Sequence, residues 1–235
     1  MYLQIRWTHN QLRHLIDNRF QALFREQFTN RAISVKDVFP NKVHGFDPFE
    51  YMCDRSFARP RDIILFVNGC LDLVEGKTSI PASTIKEAEA EYSRLRLRSL
   101  GDEWANDYPN LVQAANLLLG RPSSFKLKDV TEADINNFIL NVCTDLHIES
   151  FLYRVATELT DGKRTYRSAL IYLIMMFYKV GIVGIKPDAF NETQWAFREK
   201  TSISDAQVND GSALNIHPMV WRALGVNNAH RVGSN

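Results

Sequence analysis

The stretch that most restricts how this chain can fold is Arg59-Pro60-Arg61-Asp62 followed by Ile63-Ile64-Leu65-Phe66-Val67-Asn68-Gly69-Cys70-Leu71. Pro60 suits the first turn of a helix, where its missing N–H and fixed φ cost nothing. The residues after it are apolar on most of the circumference, with Ile63, Ile64, Phe66, Val67, Cys70, Leu71 and Val74 as candidates for burial. A helix of that kind belongs at the centre of a core. Its first turn carries Arg59 and Arg61, the wrong sign for the positive end of a helix dipole, which favours anions by about 0.3–1 kcal/mol per charge. Asp62 offsets only one of them. Two explanations stand open: an anion such as phosphate sits against the arginines, or carboxylates elsewhere in the fold pair with them.

At 235 residues the chain holds one large or two ordinary domains, each with its own core. A hydrophobic content of 45%, with 23% charged residues, is that of a soluble globular protein. The net charge of +1 supplies no general attraction to nucleic acid or to an anionic membrane. The three cysteines (Cys53, Cys70, Cys143) lack a CxxC spacing and read as reduced core residues. The longest apolar run, Ala169 to Phe177, is too short to span a bilayer, and no signal peptide is visible. A cytoplasmic protein with no membrane partner is expected.

The opening Tyr2-Leu3-Gln4-Ile5-Arg6-Trp7 alternates like a strand, yet a lone strand needs a sheet to join. Thr8 then caps a helix with Leu12, Leu15, Ile16, Phe20, Leu23 and Phe24 on one face. Ser34 caps about one turn, and Asp47-Pro48 is an N-cap with proline at the next position, starting a short helix through Cys53. The apolar helix after Pro60 ends near Gly76. Ser83 caps a long helix, Thr84 to Asn106, with Glu87, Glu89 and Glu91 early and Arg94, Arg96 and Arg98 late, in the order the macrodipole favours. Its charges read as a solvated face. Pro109 opens a further helix, closed by Gly120.

A domain boundary is placed after Pro122. Thr131-Glu132-Ala133-Asp134 resembles a capping box and begins a helix to Cys143; others run from Ile148 to Leu159 and from Thr165 to Lys179. Gly181 to Ile185, Trp195 to Phe197 and Ala213 to Ile216 are plausible strands, and Pro218 starts a last helix through Trp221 and Leu224. Three helices, a β-hairpin with a long loop and a closing helix form a winged-helix pattern. The expected class is therefore mainly α: a helical lid-type bundle over 1–122, a winged-helix domain over 123–226 and a disordered tail over 227–235.

The motifs of a complete enzyme are missing. There is no G-x-x-x-x-G-K-[ST], and Gly162-Lys163-Arg164-Thr165 reads as a helix-opening turn. The six histidines form no metal-binding spacing, and neither HExxH nor GxSxG occurs. The third helix of the winged-helix part begins with Lys163, Arg164 and Arg167, cations that can meet DNA phosphates. Its body is almost wholly apolar, which favours a protein-contact or intramolecular role over sequence-specific DNA binding.

Taken in order, Ile5-Arg6-Trp7 before an amphipathic helix, Arg59-Pro60-Arg61-Asp62-Ile63-Ile64, Ala90-Glu91-Tyr92-Ser93 on a long helix, and the run ending Ile216-His217-Pro218 resemble the C-terminal half of a group of bacterial P-loop ATPases, relatives of the AAA+ and STAND proteins. In that family a helical lid and a winged-helix domain follow the nucleotide-binding core. The resemblance implies that Arg61 is placed like a sensor-2 arginine reaching ATP phosphates, with Arg59 as its companion. The Walker elements are absent, so ATP would be bound only with a nucleotide-binding core, and this chain alone would not hydrolyse it. The implied partners are that core, further copies of the chain, and DNA. The alternative is a self-contained winged-helix DNA-binding regulator with an N-terminal helical oligomerisation domain. The two differ in whether Arg61 is exposed without a partner, or satisfied internally with Lys163 to Arg167 exposed instead.

Overall fold

A computed structural model describes residues 6–25, 32–76, 79–143, 150–198 and 203–227. The protein is mainly helical, with a small antiparallel sheet of three strands. It divides into two compact units, Met1–Arg94 and Leu95–Asn235. The division falls within one long helix, and the boundary expected after Pro122 lies inside the second unit.

In the first unit, α1 (His9–Arg25) buries Leu12, Ile16 and Phe20. The short α2 (Val35–Val38) is tied to it by the Val35 N–H, which donates to Asp17 Oδ1 at 2.7 Å. Helix α3 (Pro48–Asp54) is capped by Asp47, whose Oδ1 accepts from the Phe49 and Glu50 N–H groups. Arg13 donates to the same Asp47 oxygen at 2.6 Å and its guanidinium stacks 4.8 Å from the Phe49 ring centroid. Burial opposes ionisation of Asp47, yet Arg13 and the two N–H groups hold its carboxyl below the usual range. His9 meets Glu50 at 2.5 Å and Arg13 reaches the same carboxylate at 3.5 Å, so both residues tie α1 to α3.

Helix α4 (Pro60–Asp72) buries Ile63, Phe66, Val67 and Cys70, and Phe66 stacks on Tyr92 of α5 (Ala82–Glu103) at 4.7 Å. It is central on that face only, since Leu65 and Leu73 are exposed. The expected solvated face of α5 is also corrected. Glu89 and Arg96 are buried, because they fall on the stripe of Ile85, Ala88, Tyr92 and Leu100 at helical spacing.

The second unit holds α6 (Leu111–Ala114), α7 (Glu132–Cys143), α8 (Phe151–Thr160) and α9 (Tyr166–Lys179) with strands β1 (Ser124–Lys126), β2 (Val183–Lys186) and β3 (Ala213–Ile216). Helix α9 is its centre: Ala169, Leu170 and every residue from Leu173 to Tyr178 are buried. The sheet order is β1-β3-β2, all antiparallel, with Leu214 opposite both Phe125 and Ile185.

Several sequence expectations need correction. Strand β1 is unanticipated, because a three-residue strand with one apolar residue carries no readable alternation. Trp195 to Phe197 form no strand. Only Gln194 bridges to Ile185, and the chain then turns, with the Arg198 N–H donating to the Trp195 carbonyl at 2.8 Å. The Trp195 ring lies on Gly184, where an added Cβ would stand 2.7 Å from it. The closing helix is a 3-10 turn, Pro218–Val220, over which the Trp221 indole N–H donates to the Ile216 carbonyl at 2.7 Å. Asn227 is ordered, exchanging backbone hydrogen bonds with Arg121 and Ser123. The expected helix start at Ile148, the strand residues Tyr2 to Ile5 and the tail 228–235 lie outside the described residues. Arg6 and Trp7 are described and are not strand.

Candidate functional site

The arginine-bearing turn between α3 and α4 is built on a buried ion pair. Arg55, at the C-terminal end of α3, donates from Nε to Glu89 Oε1 at 2.7 Å, while the Tyr51 hydroxyl donates to Glu89 Oε2 at 2.7 Å. The Arg55 guanidinium lies 3.5 Å from the Tyr51 ring centroid. Both carboxylate oxygens of Glu89 are thus engaged, the condition under which a buried charge pair is tolerated. These partners are 34 residues apart, so no local signal joins them. The signal that was available is the position of Glu89 on the apolar stripe of α5.

From Arg55 the chain is held donor by donor. The Ser56 N–H and hydroxyl both donate to the Cys53 carbonyl, and the same hydroxyl oxygen accepts from the Ala58 N–H at 3.1 Å. The Phe57 N–H donates to Asp62 Oδ2 at 3.4 Å, and the Ile63 N–H returns to the Arg59 carbonyl at 3.1 Å. Ala58 sits in the left-handed region at φ 51°, a conformation that costs a non-glycine residue about 1–2 kcal/mol. Asp62 is only 3% exposed, turned inward to the turn's backbone.

The two arginines are displayed at the surface. Arg59, the residue before α4, places its guanidinium 5.1 Å from the Phe57 ring and makes no side-chain cap. Arg61 is exposed and makes no ion pair or hydrogen bond with any described residue. Against the second explanation left open by the sequence, no carboxylate of the described residues pairs with either arginine.

The cations expected at the start of α9 are placed differently. Lys163 pairs with Asp161 at 2.7 Å, and Arg164 pairs with Glu158 at 2.6 Å while lying 5.2 Å from the Tyr172 ring. Arg167 pairs with Asp210. Each is neutralised within its own unit.

Three further titratable groups are buried. His217 is buried edge-on to Trp195 and Phe197, at 4.9 and 5.6 Å, and its Nδ1 accepts the Met219 N–H. Burial, then the charges of Arg198 and Arg96, push it down to about 3. The buried Cys70 thiol is pushed up to about 12 and that of Cys53 also upward, by burial foremost. Among the described residues no cluster of histidine, cysteine or carboxylate side chains could hold a metal ion, and no helix is long and apolar enough to cross a membrane.

This architecture defines a helical domain that presents two arginines from a rigid interhelical turn. Residues 10–101, which include that turn, match the family model of the FunZ-associated C-terminal helical domain. The match covers less than half of the chain and is consistent with a C-terminal domain of a larger protein. No curated protein and no solved structure matches the chain.

Proposed function

We propose that this chain is the non-catalytic C-terminal portion of a P-loop ATPase, in which Arg61, assisted by Arg59, contacts the phosphates of ATP held by a nucleotide-binding core. The observation that carries the reading is the exposed guanidinium of Arg61, which pairs with no described residue, on a turn held by the Phe57, Ala58 and Ile63 N–H groups. An exposed cation with no partner among the described residues suits an anion brought from outside. The family match is compatible with it, since the matched family is described as a C-terminal helical domain. Movement of the turn with the nucleotide would then couple nucleotide state to a partner bound by the winged-helix part. That partner is a protein rather than DNA, because Lys163, Arg164 and Arg167 are ion-paired and the body of α9 is buried.

The test is ATP binding by calorimetry on this chain and on a longer gene product that includes the core, each with Arg61→Ala. The longer protein is expected to bind ATP, with affinity or hydrolysis reduced about tenfold or more by the substitution, as loss of a charge-assisted contact implies. Unchanged affinity and turnover in the variant would remove Arg61 from the nucleotide site.

A further inference from the structure

Phe190 is 99% exposed, the most exposed large apolar residue described. It stands in the connection after β2 on a turn tied by Asp188, whose Oδ1 accepts the Phe190 and Asn191 N–H groups at 2.9 and 3.0 Å. Asp188 and Glu192 flank it, and Glu192 makes no ion pair among the described residues. An exposed, held aromatic beside carboxylates is unsuited to a phosphate backbone and suited to an apolar hole with a cationic rim.

The same unit contains a hole with an apolar floor and a rim of mixed charge. A cleft of about 320 Å³ lies between the corner after β1 and the start of α9, floored by Leu127, Val130, Ile135 and Leu170. Lys128 on its rim has no ion-pair partner among the described residues. Of the rim carboxylates, Asp210 is taken by Arg167, and Glu132 sits in the first turn of α7, where the helix dipole offsets its charge.

Knob and cleft share one end of the sheet. Lys186, the last residue of β2, and Lys126, the last of β1, both pair with Ala213. At that end the Pro187 carbonyl accepts from the Ser212 hydroxyl, while the Leu127 and Lys128 N–H groups donate to the Ser212 and Asp210 carbonyls. A two-fold axis beside this end would let each knob reach the cleft of the other copy, the reciprocal arrangement of an isologous dimer.

We infer that this face is a self-association surface, in which Phe190 of one copy enters the Leu127–Leu170 cleft of a second copy and Glu192 or Asp188 meets its Lys128. Two aromatic rings bury a few hundred Å², well below the area of a permanent interface, so the dimer is weak and transient.

Sedimentation velocity over a micromolar to millimolar concentration series tests this. The wild type is expected to shift from monomer toward dimer, less so at high salt. Phe190→Ser should raise the dimer dissociation constant about tenfold or more, with an unchanged melting temperature because the side chain touches nothing. Lys128→Glu should weaken association, and combining it with Glu192→Lys should restore it. A wild type that stays monomeric throughout overturns the inference, whether the knob serves its own chain or another protein. So does a Phe190→Ser or Lys128→Glu variant that dimerises like the wild type.

Discussion

Two groups of cations, one in each unit, read alike in sequence and differ in the fold. Arg59 and Arg61 stand at the start of α4, while Lys163, Arg164 and Arg167 stand at the start of α9. At α9 each cation has a carboxylate from its own unit within reach. At α4 the nearest acid in sequence, Asp62, turns inward to hold the Phe57 N–H, and Arg61 is left to the solvent. A basic helix start is therefore not informative by itself. What distinguishes the two is where the neighbouring carboxylates spend their hydrogen-bonding capacity.

The comparison can be broken first at its foundation. Glu89→Ala leaves the Arg55 charge buried without its carboxylate and should cost about 3–5 kcal/mol in urea unfolding. A loss under 1 kcal/mol would mean that the arginine turn does not rest on that pair. In the second unit, Gly184→Ala drives a methyl into the Trp195 ring and should cost about 1–3 kcal/mol by the same measurement. His217, lowered from 6.5 to about 3, makes the unfolded chain bind a proton that the folded one refuses. Stability should thus fall as pH drops from 6.5 toward 3, by up to about 1.4 kcal/mol per pH unit. His217→Asn should flatten the pH dependence of the melting temperature over that window. The smallest effects bear on the comparison most directly. Arg164→Ala should lose about 0.2–1 kcal/mol with its half-exposed ion pair. Arg61→Ala should lie within about 0.5 kcal/mol of the wild type. Equal losses in the two variants would erase the contrast.

Local chemistry was legible. Asp47-Pro48, Pro60, Thr165 and the left-handed Gly120 mark helix ends within a residue or two of where they fall, since capping depends on neighbours in the chain. The positions of Arg59 and Arg61 at a helix start were legible for the same reason. The Arg55–Glu89 pair and β1 were not, because the partners that create them are distant in sequence. Trp195 to Phe197 misled because their β-propensity serves packing on Gly184 and around His217 rather than a ladder.

The placement of Trp195 also governs how the protein behaves when crowded. Strand β2 is an outer strand of the sheet and would offer its unpaired backbone groups to any extended chain that passed. Instead the Ile185 N–H and carbonyl are both taken by Gln194, and the indole lies across Gly184 beside them. A strand four residues long, with the outward groups of Ile185 taken in this way, is a poor template for intermolecular sheet growth. The segment that fails to become a strand is what keeps its neighbour from recruiting one.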